Sequence, residues 1–225
     1  MKLVHASDCH SRTYELPEAD LYVFTGDVLP DFIERGYDSA RHDKAAQLNW
    51  IKQREGKWRK DFKIGDKPII TIRGNHDWHP YDNLFGGEVY SDLGGRVQTI
   101  KGLKVGFARG VSYDFPVGDF WSDTKEDNGD FKMEEIPEDV DLLITHAPSK
   151  GVLDLVPSKF KKGKPRNIGS DDISLWHVAR FYGPHKDRPL IHLFGHCHED
   201  GGKLFKTGET TFSNAACTFN VIDIP

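Results

Sequence analysis

Residues 68–77 read Pro68-Ile69-Ile70-Thr71-Ile72-Arg73-Gly74-Asn75-His76-Asp77. The first half is a short, β-branched apolar run of the kind that forms a buried strand. The second half is a glycine followed by three side chains able to bind a metal or move a proton. The pattern recurs outward along the chain. Lys2-Leu3-Val4 leads to Asp8-Cys9-His10, Leu21-Tyr22-Val23-Phe24 to Gly26-Asp27, Asp141-Leu142-Leu143-Ile144 to Thr145-His146, and Leu190-Ile191-His192-Leu193-Phe194 to Gly195-His196-Cys197-His198. In open α/β sheets the carboxyl ends of strands converge on one crevice, so five strands that end in ligands predict one site.

Side chains two apart in extended chain point the same way. Asp8 and His10 are therefore expected to face one ion with Cys9 turned into the packing, and His196 and His198 likewise around Cys197. Gly26, Gly74 and Gly195 precede ligands, where a missing side chain lets the backbone turn sharply beside an ion. Imidazole with carboxylate and amide oxygen is a borderline donor set, suited to manganese, iron or zinc more than to calcium. Manganese, or iron with zinc, is the expectation. Two such divalent ions about 3.5–4 Å apart would polarise a phosphoryl group and lower the pKa of a bridging water towards about 7.

The rest of the sequence bounds the answer. The 225 residues suit one α/β domain, read as 1–225, with 37% hydrophobic and 29% charged residues. A net charge of −5 argues against a large nucleic-acid interface. The start reaches Ser7 and Asp8 after too few apolar residues for a signal peptide, and no apolar run is long enough to span a membrane, so a cytoplasmic location without a membrane partner is expected. Cys9, Cys197 and Cys217 form no metal or disulfide spacing and read as free thiols, with Cys9 and Cys197 as small hydrophobes. Helices are predicted over 39–58, capped by Ser39 with Ala45, Leu48 and Ile51 or Lys52 inward, and over 170–181. The second has Ser170 as cap, Ile173, Trp176 and Val178 or Ala179 inward, and Gly183-Pro184 as its stop. Val97 to Ala108 reads as a hairpin and Thr210 to Ile224 as further strand. Residues 109–130 and 148–169 read as long loops.

Taken together, Asp8-x-His10, Gly26-Asp27, Gly74-Asn75-His76-Asp77, His146 and Gly195-His196-x-His198 resemble the calcineurin-like metallophosphoesterase family in order and wording, from residue 8 to residue 198. Thr145-His146-Ala147-Pro148 with Gly151-Val152-Leu153-Asp154, residues 194–199 and Asn214-Ala215 resemble its small branch related to mammalian brain metallophosphoesterase-domain proteins. The resemblance implies a four-layer α/β/β/α sandwich of two mixed sheets. It implies that Asp8, His10 and His198 hold one metal, that Asn75, His146 and His196 hold the other, and that Asp27 bridges both. His76 would contact the phosphate and protonate the leaving oxygen, with Asp77 as its orienting partner. The implied reaction is direct attack by a metal-bridging hydroxide on a small phosphate ester, a nucleotide or similar diester.

Rival readings remain beside this one. A phosphomonoesterase or protein phosphatase would use the same centre, and a chain of another class would keep the fold as a non-catalytic metal-binding scaffold. The complete ligand set argues against the scaffold. His5, His42, His79, His177, His185 and His192 read as ordinary core or surface residues, with His5 in packing or outer hydrogen bonding and His79 within reach of the substrate as its sharper alternative. The basic run Lys159-Phe160-Lys161-Lys162-Gly163-Lys164-Pro165-Arg166 reads as a solvated face before it reads as a phosphate clamp. Tyr113, Phe115, Phe120 and Trp121 read as packing or as a stacking wall for an aromatic group.

Overall fold

The structure, a computed structural model, describes residues 1–35, 40–108, 133–157 and 163–224. Strands β1 (Lys2–Ser7) and β2 (Leu21–Phe24) are followed by a small hairpin of β3 (Ile33–Arg35) and β4 (Ala40–His42), then by helices α1 (Lys44–Arg54) and α2 (Trp58–Asp61). Next come β5 (Ile69–Thr71), β6 (Val89–Ser91), β7 (Val97–Ile100), β8 (Leu103–Ala108) and β9 (Leu142–Thr145). The chain ends with the short pair β10 (Leu155–Val156) and β11 (Arg166–Asn167), helix α3 (Asp171–Tyr182), and strands β12 (Leu190–Phe194), β13 (Lys203–Thr207), β14 (Thr210–Asn214) and β15 (Thr218–Asp223).

Two mixed sheets carry the architecture. One runs β15-β1-β2-β5-β6 and the other β13-β14-β12-β9-β8-β7. In the first, β1, β2, β5 and β6 are parallel and β15 is antiparallel to β1. In the second, β14, β12, β9 and β8 are parallel, flanked by antiparallel β13 and β7. The five apolar runs of the sequence are thus β1, β2, β5, β9 and β12, all within the parallel parts of the two sheets. The segment 210–224 divides between them, because β14 pairs in one sheet and β15 in the other.

Alternation along each strand sorts side chains into layers. Leu3, Leu21, Val23, Ile70 and Ile72 meet Val105, Phe107, Leu142, Ile144 and Leu193 between the sheets. Val4, Tyr22, Phe24 and Ile69 turn outward to Ile51, Trp58, Phe62 and Phe85. Ala108 and Leu143 face Ile136, Ile173 and Trp176 on the far side. The layers are helix, sheet, sheet, helix.

Both helices differ in detail from expectation. Helix α1 begins at Lys44 because Asp43 caps it, its carboxylate accepting from Ala46 N at 2.8 Å, and residues 40–42 are strand. Ser39 lies outside the described residues. Ala45 and Lys52 are exposed, and the buried positions are Ile51 and the polar Gln47. Helix α3 is capped by Ser170, whose Oγ accepts from Ile173 N, and ends at Gly183. Its third buried residue is neither Val178 nor Ala179 but Arg180, whose guanidinium donates to the carbonyls of Val140, Arg188 and Pro189. The described parts of 148–169 are pinned rather than open: buried Asp154 accepts from Gly151 N, Gly169 N and Asn167 Nδ2. Residues 109–132, with the four aromatics named above, and Lys159 to Lys162 lie outside the described residues.

Among the described residues Trp58 is the largest fully buried side chain, in edge contact with Trp50, Phe62 and Phe85 at 5.2–5.7 Å between ring centroids. Replacing it by alanine leaves a cavity in a close-packed layer. Trp58→Ala is expected to lower unfolding stability by about 3–5 kcal/mol, read as an earlier denaturant midpoint. The metal-binding capacity of the surviving folded fraction should be unchanged.

Candidate metal centre

The carboxyl ends of β1, β2, β5, β9 and β12 meet, and backbone hydrogen bonds lock their loops together. Asp8 N donates to Gly26 O, His10 N to Asp27 O, and Gly195 N to His146 O, at 2.9–3.0 Å. Asp8, His10, Asp27 and His196 all sit in the left-handed region, with φ of 52°, 42°, 51° and 68°. This corrects the expectation that Asp8 and His10 share a face through extended alternation: a left-handed turn brings them together instead. Such backbone costs about 1–3 kcal/mol per residue and persists only where surroundings over-determine it.

Close approach explains two of the glycines. A Cβ on Gly195 would collide with Ser7 Oγ and Asp8 Oδ2, and one on Gly74 with Asp27 Oδ1. Cys9 and Cys197 are fully buried, and Cys217 is half-buried.

The side chains gather into two groups with one potential ligand atom each inside 4.8 Å: Asp8 with His10 and His198, and Asp27 with His146 and His196. Asn75 joins the second, its Oδ1 2.9 Å from His146 Nε2. His198 Nε2 lies 3.0 Å from Asp8 Oδ1, and His146 Nε2 3.1 Å from Asp27 Oδ2. Outer hydrogen bonds aim the donors. Asp8 Oδ2 is occupied by Ser7 Oγ and His196 N, which leaves Oδ1 towards the crevice. His146 Nδ1 donates to Thr25 O at 2.7 Å, which leaves Nε2 unprotonated when the ring is neutral, as a ligand requires.

Two chains of polar groups support this turn from either side. In one, His5 bonds Thr25 Oγ1 and Ser213 Oγ between the sheets. In the other, Thr145 Oγ donates to Ala147 O, so it accepts from His192 Nε2, and His192 Nδ1 accepts from His177 Nε2. Neither His177 nor His192 stood out among the ordinary histidines of the sequence.

His76 stands apart at the crevice. Its Nδ1 lies 2.7 Å from Asp31 Oδ1, and its Nε2 3.9 Å from Asp27 Oδ2. The orienting role expected of Asp77 is corrected here. Asp77 accepts from Val28 N, Leu29 N and Gly74 N, so its carboxylate fastens two loops to each other. Asp31 is the residue that sequence reasoning missed; the signal available was an acid four positions beyond Asp27. Gln47 was missed as well. It donates to Pro30 O and His76 O and accepts from Trp78 N, clamping the His76 loop to α1. His79 Nε2 bonds Lys44 O. His10, Asp31 and His76 form a third group inside 4.8 Å, overlapping the first.

Asp8 and Asp27 are buried, and among the described residues their ion-pair partners are histidines, never lysine or arginine. Burying carboxylates without fixed cations is costly, and Asn75 Nδ2 is buried with no hydrogen-bond partner among the described residues. This donor set fits divalent cations. The imidazoles respond to the same charge. His198 is pushed up to about 10 by its hydrogen bond to Asp8, and His146 up to about 9, because the Asp27 carboxylate outweighs burial. Burial lowers His196 to about 4. His76 is raised to about 9 against the pull of burial, by Asp27 and Asp31. Burial and Asp27 raise Asp77 to about 6.

The calcineurin-like phosphoesterase family model matches residues 1–200. The chain belongs to that family. Metallophosphoesterase domain-containing protein 1 of Homo sapiens is 40% identical over 262 aligned residues, covering 100% of this chain and 71% of that protein, and its Mus musculus counterpart gives the same figures. A probable rhamnogalacturonate lyase C of Emericella nidulans is 26% identical over 90% of this chain, which spans only 18% of that protein. Family membership supports metal-dependent hydrolysis of phosphate esters and the divalent ions that go with it. No helix among the described residues is long and apolar enough to cross a membrane.

A raised imidazole keeps its proton to higher pH and must lose it to bind a cation, so protons and cations compete and affinity rises with pH. At pH 7, cation uptake should displace the protons of His146 and His198, about two per chain, together with those held by His10, which Asp31, Asp27 and Asp8 also raise against the pull of burial, and none from His196. Calorimetric titration in buffers of different ionisation enthalpy measures that number, which should fall as pH approaches 10.

Proposed function

We propose that this family member is a phosphodiesterase with a dinuclear metal centre, acting on a small nucleotide or related diester. The observation that supports it is the pairing of two His/Asp groups in one crevice with a third element, the His76–Asp31 pair, beside them. Asp8, His10 and His198 would hold one cation, Asn75, His146 and His196 the other, and Asp27 both. When bound, such a pair polarises phosphoryl oxygens and supplies hydroxide near neutral pH. Manganese, or iron with zinc, suits the donors.

The chain's own groups supply position and a proton. His76 Nδ1–H donates to Asp31, which fixes the ring and favours its charged form, so Nε2 carries the proton that the departing ester oxygen needs. Gln47 holds the His76 carbonyl and the Trp78 amide, so the ring cannot drift with its loop. Asp77 fastens the loop after β2 to Gly74, keeping Asp27 and Asn75 in one frame. The proposed setting is cytoplasmic, within a single domain.

The test compares bis-p-nitrophenyl phosphate, p-nitrophenyl phosphate and a dialkyl phosphate diester, whose leaving group is an alkoxide, with metal-loaded protein. Diester turnover should exceed monoester turnover and vanish in Asp27→Ala. His76→Ala should lower kcat by about 10²–10⁴ for an alkoxide leaving group and much less for nitrophenolate, which needs little protonation. Asp31→Asn should fall between His76→Ala and wild type. Monoester-only turnover would replace the diesterase reading by a phosphatase, and no metal-dependent turnover of any ester would return the scaffold reading.

A further inference from the structure

His198 is the exposed member of the expected ligand set, with its side chain 48% accessible, and it stands on a single short turn, His198–Asp200. A side chain in that position is costly to order when an ion binds, unless neighbours hold it beforehand. His146 and His196 have their own supports, the first in Thr25 O and the second in its amide, which donates to Asp8 Oδ2.

The hold on His198 comes from Asn214. This residue ends β14 level with Phe194, the last residue of β12, and is fully buried. Its own carbonyl accepts from Gly202 N and Asn220 Nδ2, which fixes its main chain. Its side chain then ties three segments together. Nδ2 donates to Cys197 O at 2.9 Å and to Leu153 O at 3.2 Å, and Oδ1 accepts from Ala216 N at 2.9 Å. The Cys197 carbonyl belongs to the peptide from which His198 starts. Ala216 leads into Cys217, which stands on left-handed backbone with φ of 58° and whose side chain hydrogen-bonds the His198 ring. One amide therefore governs both the main chain of His198 and the partner of its ring. Asparagine suits the task because it donates twice and accepts once within a short side chain. A carboxylate would face two carbonyl oxygens, and leucine would leave these backbone groups without that partner.

We propose that Asn214 is a positioning residue for His198, setting its Nε2 at 3.0 Å from Asp8 Oδ1 so that the Asp8–His10–His198 group is formed before an ion arrives. This rests on the two-cation reading above. Loss of Asn214 is felt at one cation and not at the other, because His146 and His196 keep their own supports.

Manganese titration of metal-free protein, followed by the electron paramagnetic resonance signal of the unbound ion, tests this, with anomalous diffraction from crystals at limiting manganese to tell which group fills. Wild type should bind two ions per chain. In Asn214→Ala, and in the isosteric Asn214→Asp, which keeps the acceptor for Ala216 N and loses both donors, one ion should bind about 10–100-fold more weakly. The weakened peak should be the one on Asp8, His10 and His198. Trp58→Ala, destabilised in the outer layer, should titrate as wild type, which separates positioning from loss of stability. Fewer than two ions on wild type overturns the two-cation reading and this inference with it. Two ions on wild type with Asn214→Asp unchanged, or with both ions weakened alike, leaves the two-cation reading standing and overturns the role of Asn214.

Discussion

Two buried carboxylates whose ion-pair partners among the described residues are all histidines govern this molecule. Asp8 and Asp27 are each 1% exposed, and the side chains nearest them in charge are imidazoles. A buried carboxylate in that position must be balanced by a proton on a neighbour or by a cation. The raised pKa values of His146 and His198 and the depressed ones of Asp8 and Asp27 are one electrostatic fact seen from both partners. In a calcineurin-like phosphoesterase, divalent ions are the natural occupants of that field.

The demand for closely spaced carboxylates and imidazoles propagates outward. Four of the converging side chains stand on left-handed backbone, and the glycines beside them stand where a methyl group would strike a carboxylate or a hydroxyl. This strain is held by rigid supports: loop-to-loop amide bonds, the Asp77 staple, the Gln47 clamp, and the histidine chains on either face of the six-stranded sheet. The sandwich itself, with three apolar layers packed around two sheets, supplies the stability against which these local costs are set.

Much of this was legible in order along the chain. Apolar runs of three to five residues located the parallel strands, and the ligands that follow them located the crevice, because strand direction and strand end are both local properties. The details that depend on tertiary contacts were not. Asp77 adjoins His76 in sequence yet serves the amides of β2's loop, whereas Asp31, from that same loop after β2, takes the ring; adjacency says nothing about which way a carboxylate turns. Gln47 looked like a surface helix residue because helical spacing marks apolar faces and is blind to a buried amide. The cap at Asp43 won over Ser39, and Arg180 replaced a smaller apolar residue inward, since carbonyls at the end of the six-stranded sheet offered it partners.

The central claim is that two cations sit on two distinct groups and leave the His76 ring off the metal, to handle a proton. Anomalous diffraction from crystals of the metal-loaded protein, at the absorption edges of the bound elements, tests it most directly. The account predicts two peaks per chain, one contacting Asp8, His10 and His198 and one contacting Asn75, His146 and His196, with Asp27 touching both and the His76 ring held by Asp31 and ligating neither ion. A single peak, or an ion seated on His10, Asp31 and His76, would contradict it, because a ring that ligates a metal through that group cannot serve as the acid.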